Sequence, residues 1–424
     1  RTAAGAVLHD ASGRRAGYGE LVADAAKQPV PKEPQLKQPG DFRLLGHDTP
    51  RFDIPSKTDG SARYGIDVRV DGMLFASIER CPTHGGKLAK VDGARALKLP
   101  GVRHVVPLER GVAVVATDTW TAQQARAALD ITWDHGPNAG LDSAAIDAGF
   151  LADAEKAGVV HKQTGDFAAA LARADRKLEA FYSVQYVAHA PLEPQNATAH
   201  VTGDRCRMWA PVQIPSWASD SVAKALGIPA KNVDLEITLA GGGFGRRLYH
   251  DYAIEAALVS KAIHAPVQVV WTREDDMRGG FYRPASLHRM TAGLSGSQLT
   301  AFRHRIVCPS IALQLVPEEV KDGVDGEISD GLNNWPYAVA DYRAEHVLSD
   351  PGVPVLWWRS VFSSQNPFAS EGFLDECAQA AGADPLAFRL ALRRDPPRHA
   401  AVLRLAAHKA GWGRKLANGR GMGL

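Results

Sequence analysis

The sequence predicts an α+β protein with more than one domain. The chain has 424 residues, which exceeds the usual length of a single domain. Its hydrophobic content of 45% and its charged content of 23% are ordinary for a globular protein and allow a large core. Segments with the period of a strand and segments of helical character follow one another along the chain, and this mixture indicates the α+β class.

Composition argues against several classes of function. The formal net charge of +2 gives no general reason to expect binding to nucleic acid or acidic lipid. No apolar run reaches the roughly 18 residues that a membrane helix needs. The four cysteines form no C-x-x-C pair, which argues against a structural zinc or an iron–sulfur cluster held by this chain. Because they are scattered over a long chain, free thiols are favoured over disulfides.

Residues 1–50 are a polar lead-in that contains several lysines and prolines. A short helix is predicted over residues 21–26, and the prolines that follow favour an extended connection. Residues 51–140 predict a small α/β domain. Its first element is a hairpin of residues 64–70 and 73–78, joined through Asp71-Gly72. Further strands are predicted over residues 102–108, 112–116 and 131–133, and a helix over 119–129 with Thr119 as its N-cap.

Residues 141–424 predict a larger α+β domain that opens with Ala-rich, helical pieces over 142–175. Strands are predicted over residues 180–187, 207–212, 233–239, 267–271, 290–294, 299–307 and 342–348. Helices are predicted over residues 216–226, 251–259, 366–381, 385–393 and 400–412, with Ser216 and Asp251 as N-caps of the first two.

A run of three glycines, Gly241, Gly242 and Gly243, lies between a predicted strand and a predicted helix. Glycine permits positive φ and a close approach of the backbone to a ligand. The helix N-terminus beyond it offers unpaired N–H groups to an anion, and Arg246 and Arg247 add fork-shaped donors. The pattern therefore predicts an anion or cofactor loop. The alternative is a tight turn or a packing contact, since the run matches neither a Walker A loop nor the G-x-G-x-x-G fingerprint.

Several stretches together resemble one family, the molybdenum-binding large subunits of the xanthine dehydrogenase/aldehyde oxidase group. The branch that the chain resembles most contains isoquinoline 1-oxidoreductase beta subunits and related bacterial aldehyde dehydrogenases. The resemblance rests on residues 51–67, 188–194, 240–247, 358–366 and 384–389. It implies a hammerhead domain over 51–140 and the first part of a molybdenum-cofactor-binding domain over 141–424. Residues 1–50 would lead in from an upstream cofactor-domain segment.

The resemblance implies a cofactor and a reaction. The cofactor is a pterin dithiolene that holds molybdenum, in bacteria usually as molybdopterin cytosine dinucleotide. Because the pterin supplies sulfur to the metal, no protein metal ligand is expected. The reaction is oxidation of an N-heteroaromatic compound or an aldehyde with water as oxygen donor. Electrons would pass to a small [2Fe–2S] partner subunit, with a cytochrome c as a candidate acceptor. Members of this branch often act on the periplasmic side, and the cytoplasm is the alternative.

The resemblance also implies roles for individual residues. Gln213 matches the glutamine whose amide contacts the apical oxygen ligand of molybdenum. The residues that match the two cofactor loops are Gly242, Gly243, Phe244, Gly245 and Arg246 in the first and Arg359, Ser360, Val361 and Gln365 in the second. Phe244 and Leu248 would border the substrate. Leu248 stands where purine-oxidising members carry a carboxylate, which favours an apolar heterocycle or an aldehyde.

Two residues near the first loop have structural interpretations. Glu193 is expected to be a buried structural carboxylate, and lining the substrate funnel is the alternative. His189 is expected to be a buried core histidine rather than a ligand.

Two family parts are expected outside this chain. The general-base glutamate would follow Leu424, and the upstream cofactor-domain segment would precede Arg1. The chain opens without Met and ends in glycine-rich apolar sequence, so we expect both ends to be cut and the chain alone to be inactive. Two alternatives stay open at this point. One is a non-catalytic family fragment that binds no molybdenum by itself, and the other is an unrelated nucleotide-binding protein that uses the triple-glycine loop.

Overall fold

The computed structural model describes residues 1–3, 5–392 and 397–424. Residues 1–62 form one compact unit and residues 63–424 form a second. The division into segments 1–50, 51–140 and 141–424 stays a prediction. In the part of the chain that the structure describes, no helix is long and apolar enough to cross a membrane.

The first unit opens with an antiparallel sheet in the order β1-β2-β3, and this sheet was not predicted. Its strands are β1 (Thr2–Ala3), β2 (Ala6–His9) and β3 (Arg14–Gly17). The predicted helix of the lead-in is confirmed as α1 (Tyr18–Ala25), and a short α2 (Ile54–Thr58) follows. The Glu20 carboxylate accepts a hydrogen bond of 3.0 Å from the backbone N–H of Gly17 and so fixes the start of α1.

The second unit contains the remaining elements. Its strands are β4 (Leu74–Arg80), β5 (Lys87–Asp92), β6 (Val102–Leu108), β7 (Gly111–Ala116), β8 (Asp130–Asp134), β9 (Val159–Thr164), β10 (Arg176–Val184), β11 (Val187–Ala188), β12 (Asn196–Thr202), β13 (Arg205–Ala210), β14 (Val233–Ile237), β15 (Val267–Val270), β16 (Tyr282–Arg283), β17 (Ser286–Ser295), β18 (Gln298–Cys308) and β19 (Asp341–Leu348). Its helices are α3 (Ala94–Leu97), α4 (Thr119–Ala125), α5 (Ser143–Asp153), α6 (Phe167–Arg173), α7 (Pro215–Leu226), α8 (Asp251–Ile263), α9 (Arg273–Gly279), α10 (Ile311–Leu315), α11 (Asn366–Ala380), α12 (Pro385–Ala391) and α13 (Pro397–Ala410).

A seven-stranded sheet runs in the order β14-β13-β12-β15-β4-β7-β6. It joins strands from both sides of the predicted boundary at residue 140, through the parallel pair of β15 and β4. The helices α7 and α8 pack on this sheet, and their apolar faces share a core with the inner residues of β12, β13 and β15. This core holds in place the strand ends and the helix start that flank the glycine run.

A five-stranded sheet runs in the order β10-β17-β18-β19-β9. Helix α11 packs against it over a core that is rich in aromatic side chains. Phe302 stacks on Trp335 with 4.4 Å between ring centroids, and Trp335 stacks on Tyr342 at 5.1 Å. The segment that leads into α11 contains the second predicted cofactor loop, so the packing of α11 on this core positions the end of that loop.

The predicted hairpin of residues 64–70 and 73–78 is wrong in its first strand. Residues Gly65–Asp67 form a helical turn, because the Asp67 carboxylate accepts a hydrogen bond of 3.0 Å from the N–H of Tyr64. A Cβ on Gly65 would lie 2.4 Å from Oδ1 of Asn196, so this turn packs directly against the start of β12. The second strand exists as β4, but it pairs with β7 and β15 instead.

Three predicted helix caps are corrected. Helix α4 is capped by Asp118 and not by Thr119. The Asp118 carboxylate accepts a hydrogen bond of 2.8 Å from the N–H of Thr121. Helix α7 begins at Pro215, one residue before the predicted cap Ser216. Asp251 is the first residue of α8 rather than its N-cap, which is His250. Its carboxylate accepts from the N–H of Tyr252 at 3.1 Å and from Nη2 of Arg246 at 2.7 Å.

Other differences concern which helices and strands are present and where they end. The predicted helical stretch 142–175 is interrupted by β9, which completes the five-stranded sheet. Strands β5 and β12 were not predicted. Helix α12 ends at Ala391, and Arg393, the predicted end, lies outside the described residues. The four cysteines are free, as predicted.

Candidate functional site

The two predicted cofactor loops meet in the structure. We call residues 240–245, between β14 and a helical turn at Arg246–Leu248, the glycine loop, and residues 357–365 the second loop. The N–H of Arg359 donates to the carbonyl of Phe244 at 2.9 Å. A Cβ on Gly245 would lie 1.7 Å from the carbonyl oxygen of Trp357, so only glycine allows this approach. Two stretches that are far apart in the sequence are therefore joined backbone to backbone.

Both loops hold non-glycine residues in the left-handed region of the backbone. Phe244 has φ 56°, Ser360 has φ 66° and Val361 has φ 48°. The region is unfavourable for a β-branched residue such as valine. Each such residue costs on the order of 1–3 kcal/mol and persists only where the surroundings enforce it, which is typical of functional sites. The strain therefore marks the junction of the loops as a site candidate.

Gln213, which follows β13, binds the glycine loop through its side chain. Its Oε1 accepts hydrogen bonds from the N–H of Gly245 at 3.0 Å and from the N–H of Arg247 at 3.2 Å. A Cβ on Gly243 would lie 2.6 Å from the same oxygen, so this glycine makes room for the amide. Because the carbonyl end of the amide is used by the loop, its NH2 end is left to donate to a ligand.

An open cavity of about 470 Å³ lies where the loops meet. Six predicted site residues line it, namely Gln213, Phe244, Gly245, Leu248, Arg359 and Val361. Sequence reasoning missed other lining residues, among them Trp217, Glu319, Glu327, Trp357 and Trp358. Trp358 is the first residue of the matching stretch 358–366 and Trp357 directly precedes it, so extending the site prediction to the start of that stretch would have found both. Nothing in the sequence marks Glu319 or Glu327.

The remaining predicted residues lie beside the cavity rather than on its wall. Gly242 has φ 98° and Gly243 contacts Gln213, so both shape the glycine loop. Gln365 is buried to 1% exposure, and neither its Oε1 nor its Nε2 has a hydrogen-bond partner among the described residues. An unpaired buried amide costs free energy, so this side chain is suited to a polar group from a ligand. Ser360 is exposed and its Oγ donates to the carbonyl of Arg359.

Arg246 and Arg247, which close the glycine loop, are buried to 1% and 0% exposure. Arg246 forms two hydrogen bonds from Nη2 to the Asp251 carboxylate, at 2.9 and 2.7 Å. Arg247 donates to the carbonyl of Gly242 at 2.8 Å and to Oε2 of Glu193 at 3.1 Å. These donors serve the protein itself, so the expected pair of anion-binding forks is not formed. The contacts favour a structural role, and cofactor binding by Arg246 stays a prediction.

The structural role expected for Glu193 is confirmed. Its Oε1 accepts from the N–H of Ile66 at 3.1 Å and from Nδ2 of Asn196 at 2.9 Å. Its Oε2 accepts from the N–H of Gly241 at 2.7 Å, in addition to the bond from Arg247. One buried carboxylate thus ties the Gly65–Asp67 turn, the start of β12 and the glycine loop together.

His189 is a buried core histidine, as expected, with 5% exposure. Its Nε2 lies 2.9 Å from the carbonyl of Trp357, and its Nδ1 lies 3.3 Å from the carbonyl of Phe281. Burial lowers the pKa of His189 to about 4, although the bond to Trp357 opposes this shift. The neutral ring has a single N–H, which can donate to one of these two carbonyls and so connects His189 to the backbone beside the second loop.

Comparison with known proteins agrees with this geometry. A model of the molybdopterin cofactor-binding domain matches residues 151–391. The beta subunit of isoquinoline 1-oxidoreductase from Brevundimonas diminuta is 32% identical over 100% of this chain and 60% of its own length. A membrane-bound aldehyde dehydrogenase from Gluconacetobacter polyoxogenes, whose name gives pyrroloquinoline quinone, is 32% identical over 98% of this chain and 59% of its own length.

Among solved structures, the aldehyde oxidoreductase from Desulfovibrio gigas superposes with a TM-score of 0.69 at 18% identity, over 92% of this chain and 49% of that one. This likeness confirms the predicted fold class. The chain spans about 60% of the length of the first two relatives.

Proposed function

Because this chain belongs to the molybdopterin cofactor-binding family, among the molybdenum-binding subunits of the xanthine dehydrogenase group, we propose that it is part of a molybdenum hydroxylase. The enzyme would oxidise an N-heteroaromatic compound or an aldehyde with water as oxygen donor. One observation carries the proposal: the strained glycine loop, the second loop and the free amide end of Gln213 converge on one cavity.

The residues at this junction fit the cofactor. The buried amide of Gln365, which has no partner among the described residues, can bind polar edges of the pterin. Gly243 and Gly245 leave no side chain between the loops. We assign Gly242, Ser360, Val361 and Arg359 to the same binding surface, and molybdopterin cytosine dinucleotide as the form bound. When bound, the molybdenum centre accepts the electrons that the substrate loses.

The chain's own residues would then orient the reactants. Gln213 would offer its amide N–H groups to the cofactor, while the bonds from the N–H groups of Gly245 and Arg247 to its Oε1 hold the amide in one orientation. Phe244 and Leu248 give the cavity an apolar wall that suits a flat ring. Because the Leu248 side chain offers no hydrogen-bond acceptor, a purine would lack a carboxylate partner at this position.

We propose a small [2Fe–2S] subunit as the partner that takes the electrons, and a cytochrome c as a candidate acceptor beyond it. We also propose the periplasmic side as the location, with the cytoplasm as the alternative. The Brevundimonas relative is named as one subunit of an oxidoreductase, which supports a multi-subunit enzyme.

The test is to measure molybdenum, releasable cytidine nucleotide and pyrroloquinoline quinone in the protein purified from its native source. Near-stoichiometric molybdenum and cytidine nucleotide, together with oxidation of isoquinoline or benzaldehyde by an artificial electron acceptor, would support the proposal. Absence of all three groups in the native protein would favour a non-catalytic family fragment. Stoichiometric pyrroloquinoline quinone without molybdenum would overturn the cofactor assignment.

A further inference from the structure

The cavity between the loops has a wall of flat aromatic side chains. The ring centroids of Trp217 and Trp357 lie 6.2 Å apart with the ring planes inclined by 46°, and Phe244 and Trp358 extend the wall. Indole faces attract flat aromatic ligands and favour cationic ones, because the face of the ring carries negative charge. The aromatic wall therefore favours a ligand with a planar ring over an aliphatic ligand.

Two carboxylates line the same cavity, and neither was predicted as a site residue. Glu327 is half-buried, and both of its oxygens lie 2.8 Å from Nε1 of Trp357. Glu319 is exposed and lies on the wall as well. An ionised carboxylate has about four acceptor positions, so Glu327 can accept from a ligand while it holds the indole N–H.

Glu327 is held in place before any ligand arrives. It lies on the helical turn Gly326–Ser329, which is capped by the side chain of Asp325. Asp325 is 1% exposed, accepts 2.9 Å from the N–H of Glu327 and receives the hydroxyl of Ser310 at 2.6 Å. The bond from Trp357 then fixes the carboxylate against the aromatic wall. A group oriented in this way loses little freedom on binding.

Charge at this wall also favours a ligand that donates hydrogen or carries positive charge. Burial raises the pKa of Glu327, and the neighbouring Asp325, Asp330 and Glu319 raise it further, while Trp357 opposes the shift. A donor on the ligand would relieve this concentration of negative charge. Arg359 lines the same cavity but forms no ion pair with either glutamate among the described residues, and we assign it to the cofactor.

We propose that the substrate class is a flat aromatic heterocycle with an N–H or a protonated ring nitrogen, and that Glu327 is the specificity residue that accepts this hydrogen. The proposal deepens the hydroxylase function and rests on it. An aldehyde brings only a carbonyl oxygen, which a carboxylate repels. The wall therefore decides between the two substrate classes that the family resemblance leaves open.

The experiment measures binding by calorimetry on the complete holoenzyme. The probes are 4-aminoquinoline, whose ring nitrogen is protonated at neutral pH, and 1-aminonaphthalene, the neutral carbocycle of the same shape. In Glu327→Gln, 4-aminoquinoline should bind roughly tenfold or more weakly, because the amide oxygen still accepts the hydrogen but the negative charge that pairs with the cation is lost. Binding of 1-aminonaphthalene should change less than about twofold. The control Glu318→Gln, an exposed position that does not line the cavity, should leave both affinities unchanged.

A second variant guards against misfolding of the first. Trp357→Phe keeps an aromatic ring on the wall but removes the N–H that holds Glu327. It should therefore weaken the binding of 4-aminoquinoline but not of 1-aminonaphthalene, by a smaller factor than Glu327→Gln does. Equal losses for both probes, or no loss for either, would overturn the proposal.

Cofactor content and turnover are measured on the same samples. If Glu327→Gln selectively weakens the binding of 4-aminoquinoline in a protein that contains no molybdenum, the role of Glu327 is upheld and the proposed hydroxylase function is rejected. Turnover with molybdenum but without selective loss would reject the role of Glu327 alone.

Discussion

Arginines stand beside both loops of the site, but the two loops use them differently. Arg247, at the end of the glycine loop, is completely buried, and its guanidinium binds Glu193 and the loop carbonyl of Gly242. Arg359, in the second loop, is exposed on the cavity, and its side chain forms no hydrogen bond or ion pair with the described residues. Both are arginines next to strained backbone, and only one is available to a ligand.

The difference shows that side-chain contacts within the protein stabilise the glycine loop, whereas the second loop keeps a side chain free to bind a ligand. The buried pair of Arg247 and Glu193 depends on both partners, since one charge alone would be left in a medium that solvates it poorly. An exposed arginine contributes little to folding. Stability should therefore depend on the first loop and ligand binding on the second.

The largest expected effect tests this division directly. Arg247→Ala should destabilise the protein by about 3–5 kcal/mol, because it leaves the Glu193 carboxylate buried without its ion partner. Arg359→Ala should change stability by less than about 0.5 kcal/mol. Chemical denaturation of both variants measures the two losses. Equal losses of stability would show that the loops are not divided in this way.

The next effect concerns the contact between the loops. Gly245→Ala places a methyl group against the carbonyl of Trp357 and should cost at least about 2 kcal/mol beyond the strain of its positive φ. Gly203→Ala is the matched control, since Gly203 also has positive φ but has nothing within 4 Å of the added carbon. Thermal unfolding compares the two variants. Similar melting temperatures of the two variants would mean that the two loops can move apart without loss of folding stability.

Local pattern was enough to predict much of this architecture. The strand at 102–108 is confirmed to the residue, and the glycine run does lie between a strand and a helix. These elements have strong apolar periodicity, which local sequence reveals. The first strand of the predicted hairpin failed because a side-chain bond within residues 64–67 and packing on Asn196 override the alternation.

The site was predicted by residue type and resemblance, and burial decided what each residue does. Gln213 and Arg359 reach the cavity, whereas Arg246 is buried and its Nη2 binds the Asp251 carboxylate. No local pattern distinguishes a buried arginine from a free one, because the partner carboxylate is chosen by tertiary packing. Glu327 was missed for the same reason, since only the fold brings it to Trp357.

A smaller effect separates the two ends of the Gln213 amide. Gln213→Glu keeps acceptors for the N–H groups of Gly245 and Arg247 but removes the N–H donors that face the ligand. Turnover of the holoenzyme should fall roughly 100-fold, as for loss of one oriented donor, while molybdenum content and stability stay close to normal. Gln213→Ala should slow turnover similarly and also destabilise the loop by about 1 kcal/mol. Normal turnover of both variants would remove Gln213 from the catalytic machinery.

The smallest effect asks whether the second loop also depends on a buried group, His189. Its folded-state pKa of about 4 lies below the ordinary value of 6.5, so the unfolded chain binds a proton first as the pH falls. His189 thus contributes stability that is complete above pH 6.5 and is lost as the pH falls toward 4. In His189→Gln, the loss of stability between pH 7.5 and 5.5 should be smaller than in the wild type by about 1 kcal/mol. Denaturation at the two pH values measures it. Parallel losses would mean that His189 is charged in the folded protein, and that both of its ring nitrogens donate to carbonyls of the surrounding loops.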